Sequence, residues 1–314
     1  MPTRPLLALA VLASLSGCAT LDAVTCPRPD APLVIEQLQL PGPDIGVATL
    51  VHLPDGRILV YEVGSAVHAG RVREALGGPA DFVFVSHPDH DHAGGLSALD
   101  DELEHAEDVA TLGVRDLGSG VTLDTFLADG VLAVRDGAPP YAIGAEHDEL
   151  DLRDEVSAID TSDNARSSAA VLRYGDFAWI FAGDLTGGGK LTPDVESAVA
   201  ARGDAILVPG ELDLLQLNHH GIRSSNNDAW LDWLLPDDGG ERHALSAANA
   251  TYLDAPHEDV LDAFAERTDG FVWAGVTGHQ TPKEHEALLR TGGSVFVGVQ
   301  EDGSWSVCGV PVGD

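Results

Sequence analysis

Six consecutive positions, His87-Pro88-Asp89-His90-Asp91-His92, carry three imidazoles and two carboxylates. These groups supply the nitrogen and oxygen lone pairs that hold zinc and other divalent cations. Burying so many titratable groups is costly unless a cation or a partner compensates them. His87 and Asp89 stand two apart, and Asp91 and His92 are adjacent. On a loop, such residues can face two metals from two sides. Two later stretches offer the same donors: Gly183-Asp184 at the end of an apolar run, and His219-His220-Gly221 with Ser224-Ser225 just beyond.

The elements around these residues follow from pattern. The strand-forming run Asp81-Phe82-Val83-Phe84-Val85 leads into the cluster, Gly94-Gly95 follows it, and an apolar, helix-compatible stretch begins at Leu96. The cluster therefore sits on a loop at a strand's C-terminal end, where open α/β sheets place their ligands. Upstream, Val34 to Leu40 reads as a strand. Val47 to Leu53 and Arg57 to Val63 read as a hairpin around the turn Pro54-Asp55-Gly56. Ala66 to Leu76 reads as a helix stopped by Gly77-Gly78-Pro79. Residues 97 to 160 are acidic and weakly patterned, with strands expected at Val121 to Leu127 and Val131 to Val134. Glu146-His147-Asp148-Glu149 reads as a solvated run. Ala169 to Tyr174 and Phe177 to Ala182 form two strands around Gly175-Asp176. Pro193 to Ala201 is expected to be a helix with Thr192 as N-cap. Strand-like segments at Ala205 to Pro209 and Asp213 to Asn218 follow, then a helix over Asp228 to Leu235. Strands at Ala244 to Ala248, Phe271 to Trp273 and Ser294 to Val299 complete the reading.

His87-x-Asp89-x-Asp91-His92-x-Gly94-Gly95 resembles the HxHxDH motif of the metallo-β-lactamase superfamily, with aspartate in place of the second histidine. With Ser86 and Pro88 included, it is similar to the branch that contains the hydrolase domain of the competence protein ComEC. The resemblance extends over roughly residues 35 to 300. It implies an αββα sandwich, two mixed sheets face to face with helices outside, as one domain from residue 34 to 314. It implies that His87 and Asp89 bind one metal and that Asp91 and His92 bind the other, with His90, at a variable position, facing solvent or supporting a ligand from behind. The strand ending in Gly183-Asp184 resembles the superfamily's metal-bridging aspartate, and one carboxylate between two cations offsets charge on both. His219-His220-Gly221 resembles the His-His-Gly-Ser signature, with His220 as the metal ligand and His219 supporting it or touching substrate. Asn164-Ala165-Arg166-Ser167 resembles the same branch, so Asn164 and Ser167 are expected to contact substrate or metal-bound water, with Arg166 facing an anionic substrate; Ser224, beyond His219-His220-Gly221, is also expected near substrate. Pro256-His257 keeps one histidine of the branch's closing segment, so His257 is expected to contact substrate, and Ala255 stands in place of the other. Glu62 stands where the superfamily has an aspartate in an Asp-x-Gly turn, and would orient a ligand histidine. His279 and His285 fall outside the matched stretches and read as surface residues.

The implied chemistry is hydrolysis by a hydroxide held between two divalent ions, with Asp91 and Asp184 central to it. Zinc is the first expectation; the oxygen-rich site made by Asp89 also suits manganese or iron. A phosphodiester is the leading substrate class. Lactone or ester hydrolysis, and an inactive metal-binding module of the cell envelope, are the alternatives.

The chain's 314 residues, 44% of them apolar, suffice for a substantial core. Leu6 to Leu15 is too short to span a bilayer, and Leu15-Ser16-Gly17-Cys18 resembles a bacterial lipoprotein signal. Residues 1–17 are thus expected to be removed, Cys18 lipidated and 18–33 to act as anchor and linker, which places the protein in the cell envelope, facing the periplasm or on the outer membrane. Cys26 and Cys308 are left to pair in that oxidising compartment. With 17 basic against 51 acidic residues the net charge is −34, and no basic stripe is visible. That disfavours nucleic acid as a partner and favours a small or envelope-bound substrate. No protein partner is evident.

Overall fold

The computed structural model describes residues 23–42, 44–128, 152–189, 192–247, 254–275 and 284–312. The expected strand at 131–134 and the acidic run at 146–149 lie outside these residues, as do Cys18 and the segment before it. Among the described residues no helix is long and apolar enough to cross a membrane.

In chain order the strands are β1 (Leu33–Gln37), β2 (Ala48–His52), β3 (Ile58–Val63), β4 (Phe82–Phe84), β5 (Glu107–Asp108), β6 (Gly113–Gly118), β7 (Val121–Leu127) and β8 (Ala169–Tyr174). They continue as β9 (Phe177–Phe181), β10 (Leu214–Gln216), β11 (His243–Leu245), β12 (Val272–Gly275), β13 (Leu288–Thr291), β14 (Val295–Val299), β15 (Trp305–Val307) and β16 (Val310–Val312). The helices are α1 (Ala69–Leu76), α2 (His90–Ala93), α3 (Asp100–Leu103), α4 (Arg153–Ile159), α5 (Glu196–Ala200), α6 (Asp228–Leu234) and α7 (Glu258–Ala265).

The strands form two eight-stranded sheets, ordered β16-β15-β14-β1-β2-β3-β4-β5 and β13-β12-β11-β10-β9-β8-β7-β6. Both are mixed. The first is antiparallel up to β3 and parallel across β3, β4 and β5. The second is antiparallel from β6 to β9 and parallel from β9 to β13. Strand β9 shows how the layers are built. Its residues are all apolar and all buried, and successive side chains point to opposite faces. Phe177, Trp179 and Phe181 join a core shared with first-sheet residues such as Tyr61, Phe84 and Val297. Ala178 and Ile180 join a second core with Trp230, Leu231 and Phe264 from α6 and α7. A third core sets Val60 and Val83 against Val72 and Leu76 of α1. The result is helix, sheet, sheet, helix. In the central layer the Tyr61 and Phe181 rings lie 4.4 Å apart and Trp179 and Phe181 4.5 Å apart, close enough for tilted aromatic contact.

Several segments differ from the sequence reading. Residues 192–195 do not begin a helix. Val195 and Glu196 both donate their N–H to Thr186 O, and Gly187 bridges Asp194, so the chain pairs with that segment first and α5 starts only at Glu196. Val195, not Thr192, is the N-cap. The stretch from Ala205 to Pro209 is not a strand. It follows a 3-10 turn at Gly203–Ala205, and Glu211 accepts the Val208 N–H. The helix expected from Leu96 is broken into a 3-10 turn at Leu96–Ala98 and the short α3. Strands β5, β6, β13, β15 and β16 lacked a clear sequence signal.

The segment just ahead of β1 is docked. Val24 bridges Thr291 and donates to Arg290 O. Cys26 is bonded to Cys308, in the turn between β15 and β16, across 282 residues. A link closing so long a loop restricts the unfolded chain strongly, typically by about 2–5 kcal/mol. Cys26→Ser with Cys308→Ser should lower the unfolding free energy by about that amount in urea titrations. Wild type in reductant should match the double variant; equal stability of all three would show that the bond adds nothing.

Candidate metal centre

The loops that hold the site all leave the C-terminal ends of strands. Strand β4 runs into Ser86–His92, β9 into Gly183-Asp184, β10 into Asn218–Gly221 and β11 into Ser246 and Ala247. Strand β3 contributes Glu62 by a bulge. Ala48 pairs with Val63 and Thr49 with Tyr61, so Glu62 is the extra residue, with φ 59°. A bulge re-aims a side chain, and this one sends the Glu62 carboxylate under the motif loop, where it accepts the Ser86 N–H.

Asp91, His92, Asp184 and His220 are buried, and one ligand atom from each lies within 4.8 Å of the others. His220 Nε2 is 3.1 Å from Asp91 Oδ2, and His92 Nε2 is 3.1 Å from Asp184 Oδ1. On the other side, Asp184 Oδ2 lies 3.4 Å from His219 Nε2 and 3.7 Å from His87 Nε2. His87 Nε2 is in turn 3.6 Å from Asp89 Oδ2. The two oxygens of Asp184 thus face different groups of donors. Asp89 has 44% of its side chain exposed and borders the cluster from solvent.

The fit to a cation can be tested from the atoms themselves. His87 Nε2, His92 Nε2 and Asp184 Oδ1 are buried and make no hydrogen bond. Buried polar atoms without hydrogen bonds are costly unless another charge compensates them; His92 Nε2 and Asp184 Oδ1 compensate each other as an ion pair, and the donor set as a whole fits a divalent cation. His220 Nδ1 bonds Ala247 O at 3.2 Å, while His92 Nδ1 makes no hydrogen bond and faces Glu62 Oε1 as an ion pair at 3.2 Å. A carbonyl only accepts, so Ala247 favours a proton on His220 Nδ1; a bound cation would take His220 Nε2 in place of its contact with Asp91. Ser86 Oγ holds His87 Nδ1 at 2.8 Å.

Charge in the cluster is balanced by its own members. Burial opposes ionisation of Asp91, but the His220 hydrogen bond and the nearby His92 hold its carboxyl at about 2. Burial likewise opposes the Asp184 carboxylate, and His92, His219 and His87 keep it well below the usual range. His92, for which burial favours the neutral form, is pushed well upward by Asp184 and Glu62.

The frame behind these donors is tightly fixed. Asp184 N–H donates to Ser167 Oγ, Gly183 N–H to Tyr61 Oη, and His219 N–H to Gly183 O. Gly183 has φ +53°, and a Cβ there would collide with Ser86 Oγ, so only glycine lets the β9 end approach the motif loop. Ser168 N–H donates to Ser86 O. Ser246 Oγ donates to His220 O.

Most residues singled out in the sequence do meet here. Asp91, His92, Asp184 and His220 form one cluster, His87 and Asp89 stand on the Oδ2 side of Asp184, and Glu62 and His219 lie against them. Ser167 is fully buried beneath Asp184, so it acts on the site through that aspartate. Asn164 and Arg166 are half-buried in the turn that leads to Ser167. His257 accepts the Arg223 N–H at Nδ1 and donates its own N–H to Gly221 O, beside the His219-His220 turn. Ser224 O accepts the Gly187 N–H. His90 is exposed, and His285 pairs with Asp262 away from the cluster; His279 lies outside the described residues. Sequence reasoning placed Ser86 in the motif but gave no role to Ser86, Tyr61 or Glu196. Ser86 had a signal, its adjacency to His87; Tyr61 and Glu196 had none.

No family model matches the chain, and no curated protein matches it. Solved structures show a likeness. Igni18, a metallo hydrolase from Ignicoccus hospitalis, is 11% identical over 84% of this chain and 98% of its own, with a TM-score of 0.42. A diphosphatase from the PhnP family is 10% identical over 82% and 94%, with a TM-score of 0.38. A metallo-beta-lactamase HARLDQ motif mutant from Cronobacter sakazakii is 16% identical over 59% and 78%, with a TM-score of 0.35. The fold assignment rests on the sheets rather than on these scores. Two mixed sheets face to face between helices, with the donor cluster at the strands' C-terminal ends, form the αββα sandwich of the metallo-β-lactamase fold.

Glu196 supports the turn that carries His219 and His220. It is wholly buried; Oε1 accepts from Asn218 Nδ2 and Asn226 N, and Oε2 from Asn227 N. Burial nonetheless outweighs these bonds and lifts its carboxyl from 4.5 to about 7. A raised folded value means stability that is full below the unfolded value and lost as pH rises through the folded one. Over that window the loss is on the order of 3 kcal/mol. Denaturation of chelator-treated protein at pH 5 and pH 8 should show it, and Glu196→Gln should flatten the slope by about that amount. An unchanged slope in the variant would contradict the assignment.

Proposed function

We propose that the protein is a metal-dependent hydrolase of the cell envelope that acts on a phosphodiester, with a pair of divalent ions at the cluster. The observation that carries the reading is the buried carboxylate of Asp184, whose two oxygens face two sets of ligand atoms. Divalent ions held there would supply Lewis acidity and lower the pKa of water to near neutrality. Asp91, His92 and His220 would hold one ion, and His87 and Asp89 the other, with Asp184 shared. Zinc fits this mixture of imidazole and carboxylate, and the oxygen-rich side suits manganese or iron as well.

The chain's own residues supply positioning. Glu62 orients His92, Ala247 O orients His220, and Ser86 fixes the ring of His87. The preference for a phosphodiester rests on the similarity of the motif to the ComEC-type branch, and the −34 charge favours a small or envelope-bound ester over long nucleic acid. Metal-loaded protein assayed on bis-p-nitrophenyl phosphate, single-stranded DNA and a lactone panel tests the class. Turnover of lactones alone would replace phosphodiester by carboxylic ester.

Asp184→Asn keeps the size of the side chain and removes its charge. An amide oxygen is a poorer ligand, so hydrolysis of the best substrate should fall by about two orders of magnitude or more, with the fold retained. Asp176→Asn, exposed in the turn between β8 and β9, should change little. Wild-type turnover by Asp184→Asn would remove the shared carboxylate from the mechanism.

The envelope location rests on the lipoprotein-like stretch ending at Cys18. Cys18→Ser should leave an unprocessed precursor, read by fractionation and mass. Normal cleavage and release of that variant would replace lipid anchoring by an ordinary secretory signal.

A further inference from the structure

The donors around Asp184 do not divide evenly. On the Oδ1 side stand Asp91, His92 and His220, all buried. On the Oδ2 side stand His87, fixed by Ser86, and Asp89, which is partly in solvent. Catalytic metal sites commonly take three protein ligands and leave a position open. On the Oδ2 side a fixed donor beyond His87 and Asp184 is therefore wanted.

The geometry points to His219 as that donor: its Nε2 is a direct ligand of the ion held by His87, Asp89 and Asp184, rather than a substrate contact. This inference rests on the two-ion reading above. His219 Nε2 lies 3.4 Å from Asp184 Oδ2, closer than His87 Nε2 at 3.7 Å. The side chain is only 16% exposed. Its Nδ1 is buried without a hydrogen-bond partner, so the polar engagement of the ring is at Nε2. The backbone explains how two adjacent histidines reach one cluster. Neighbours in a strand point to opposite faces. Here His219 and His220 have φ 49° and 57°, and their ring centroids lie 6.2 Å apart. One ring thereby meets Asp184 and the other Asp91. Two consecutive non-glycine residues in the left-handed region cost on the order of 1–3 kcal/mol each. The His219 N–H to Gly183 O bond, the Glu196 network and Ser246 on His220 O hold them there.

The test uses the full-length protein stripped with chelator and titrated with cobalt(II), followed by visible absorption and equilibrium dialysis. Wild type should bind about two equivalents in separable events. His219→Gly, which relaxes the backbone, should weaken one event by about tenfold or more and change its absorption band. His219→Asn tolerates the same backbone but is too short to reach, and should behave alike. Asp89→Ala should weaken the same event, and His220→Ala the other. Imidazole added to His219→Gly should restore affinity, which a group that merely hydrogen-bonds Asp184 has no reason to show. Two undiminished cobalt events in both His219 variants would overturn the ligand assignment and leave the two-ion reading standing. Fewer than one equivalent in wild type would overturn both.

Discussion

Everything in the site depends on keeping the Asp184 carboxylate charged in an interior. It is almost fully buried, it is held anionic by three imidazoles, and Oδ1 makes no hydrogen bond. A lone buried carboxylate would take up a proton or drag water in. Asp184 avoids both because His92, His87 and His219 surround it, and because its own N–H is tied to Ser167 Oγ. Those histidines need fixing in turn, and Glu62, Ser86 and the Gly183 carbonyl each fix one. The carboxylates and imidazoles are thus held about one another, and together they make a donor set with the chemistry of a cation site.

The sheets supply this arrangement economically. Strands β3 and β4 run parallel in one sheet, and β9, β10 and β11 run parallel in the other. Parallel neighbours end on the same side, so their C-terminal loops converge. The aromatic layer of Tyr61, Phe84, Trp179 and Phe181 holds the two sheets together just beneath those loops. Tyr61 belongs to both parts: its ring packs in that layer and its hydroxyl accepts the Gly183 N–H. Packing between the sheets and placement of the carboxylate are thus one construction.

Much of this was legible in the sequence where chemistry and periodicity coincide. The six-residue cluster after a buried strand gave the ligand loop, and Phe177 to Asp184 gave a strand with its site residue attached. The His-His-Gly turn announced itself by residue type, yet not by which ring would face which oxygen, since that follows from two left-handed residues in succession. Glu62 could be named as an orienting acid, but the bulge that turns it inward lies in strand register, which a single strand does not display. The helix expected from Pro193 failed because residues 192–195 pair with the segment after Asp184, a tertiary preference that overrides a good capping pattern. Glu196 was invisible for the same reason: a lone acid in a helical stretch ordinarily faces water, and here it is enclosed by three donors from the turn it supports.

The surface and the site pull in opposite electrostatic senses, and that opposition bears on substrate. A chain with 51 acidic and 17 basic residues repels polyanions at long range and attracts cations. The same repulsion works against the compact state, and the Cys26–Cys308 bond opposes it by joining the segment before β1 to the turn between the last two strands. At the site itself the balance is different, because the carboxylates are matched by imidazoles at 3 to 4 Å. Two bound cations would add positive charge locally while leaving the surface acidic. In the proposed reading such a field would suit a compact anionic ester, which would reach the cation site without laying a long charged chain across the rest of the protein. Screening confines the attraction of the site to within about 8–10 Å at ordinary salt, so in the proposed reading recognition would fall to residues that border it rather than to the acidic surface.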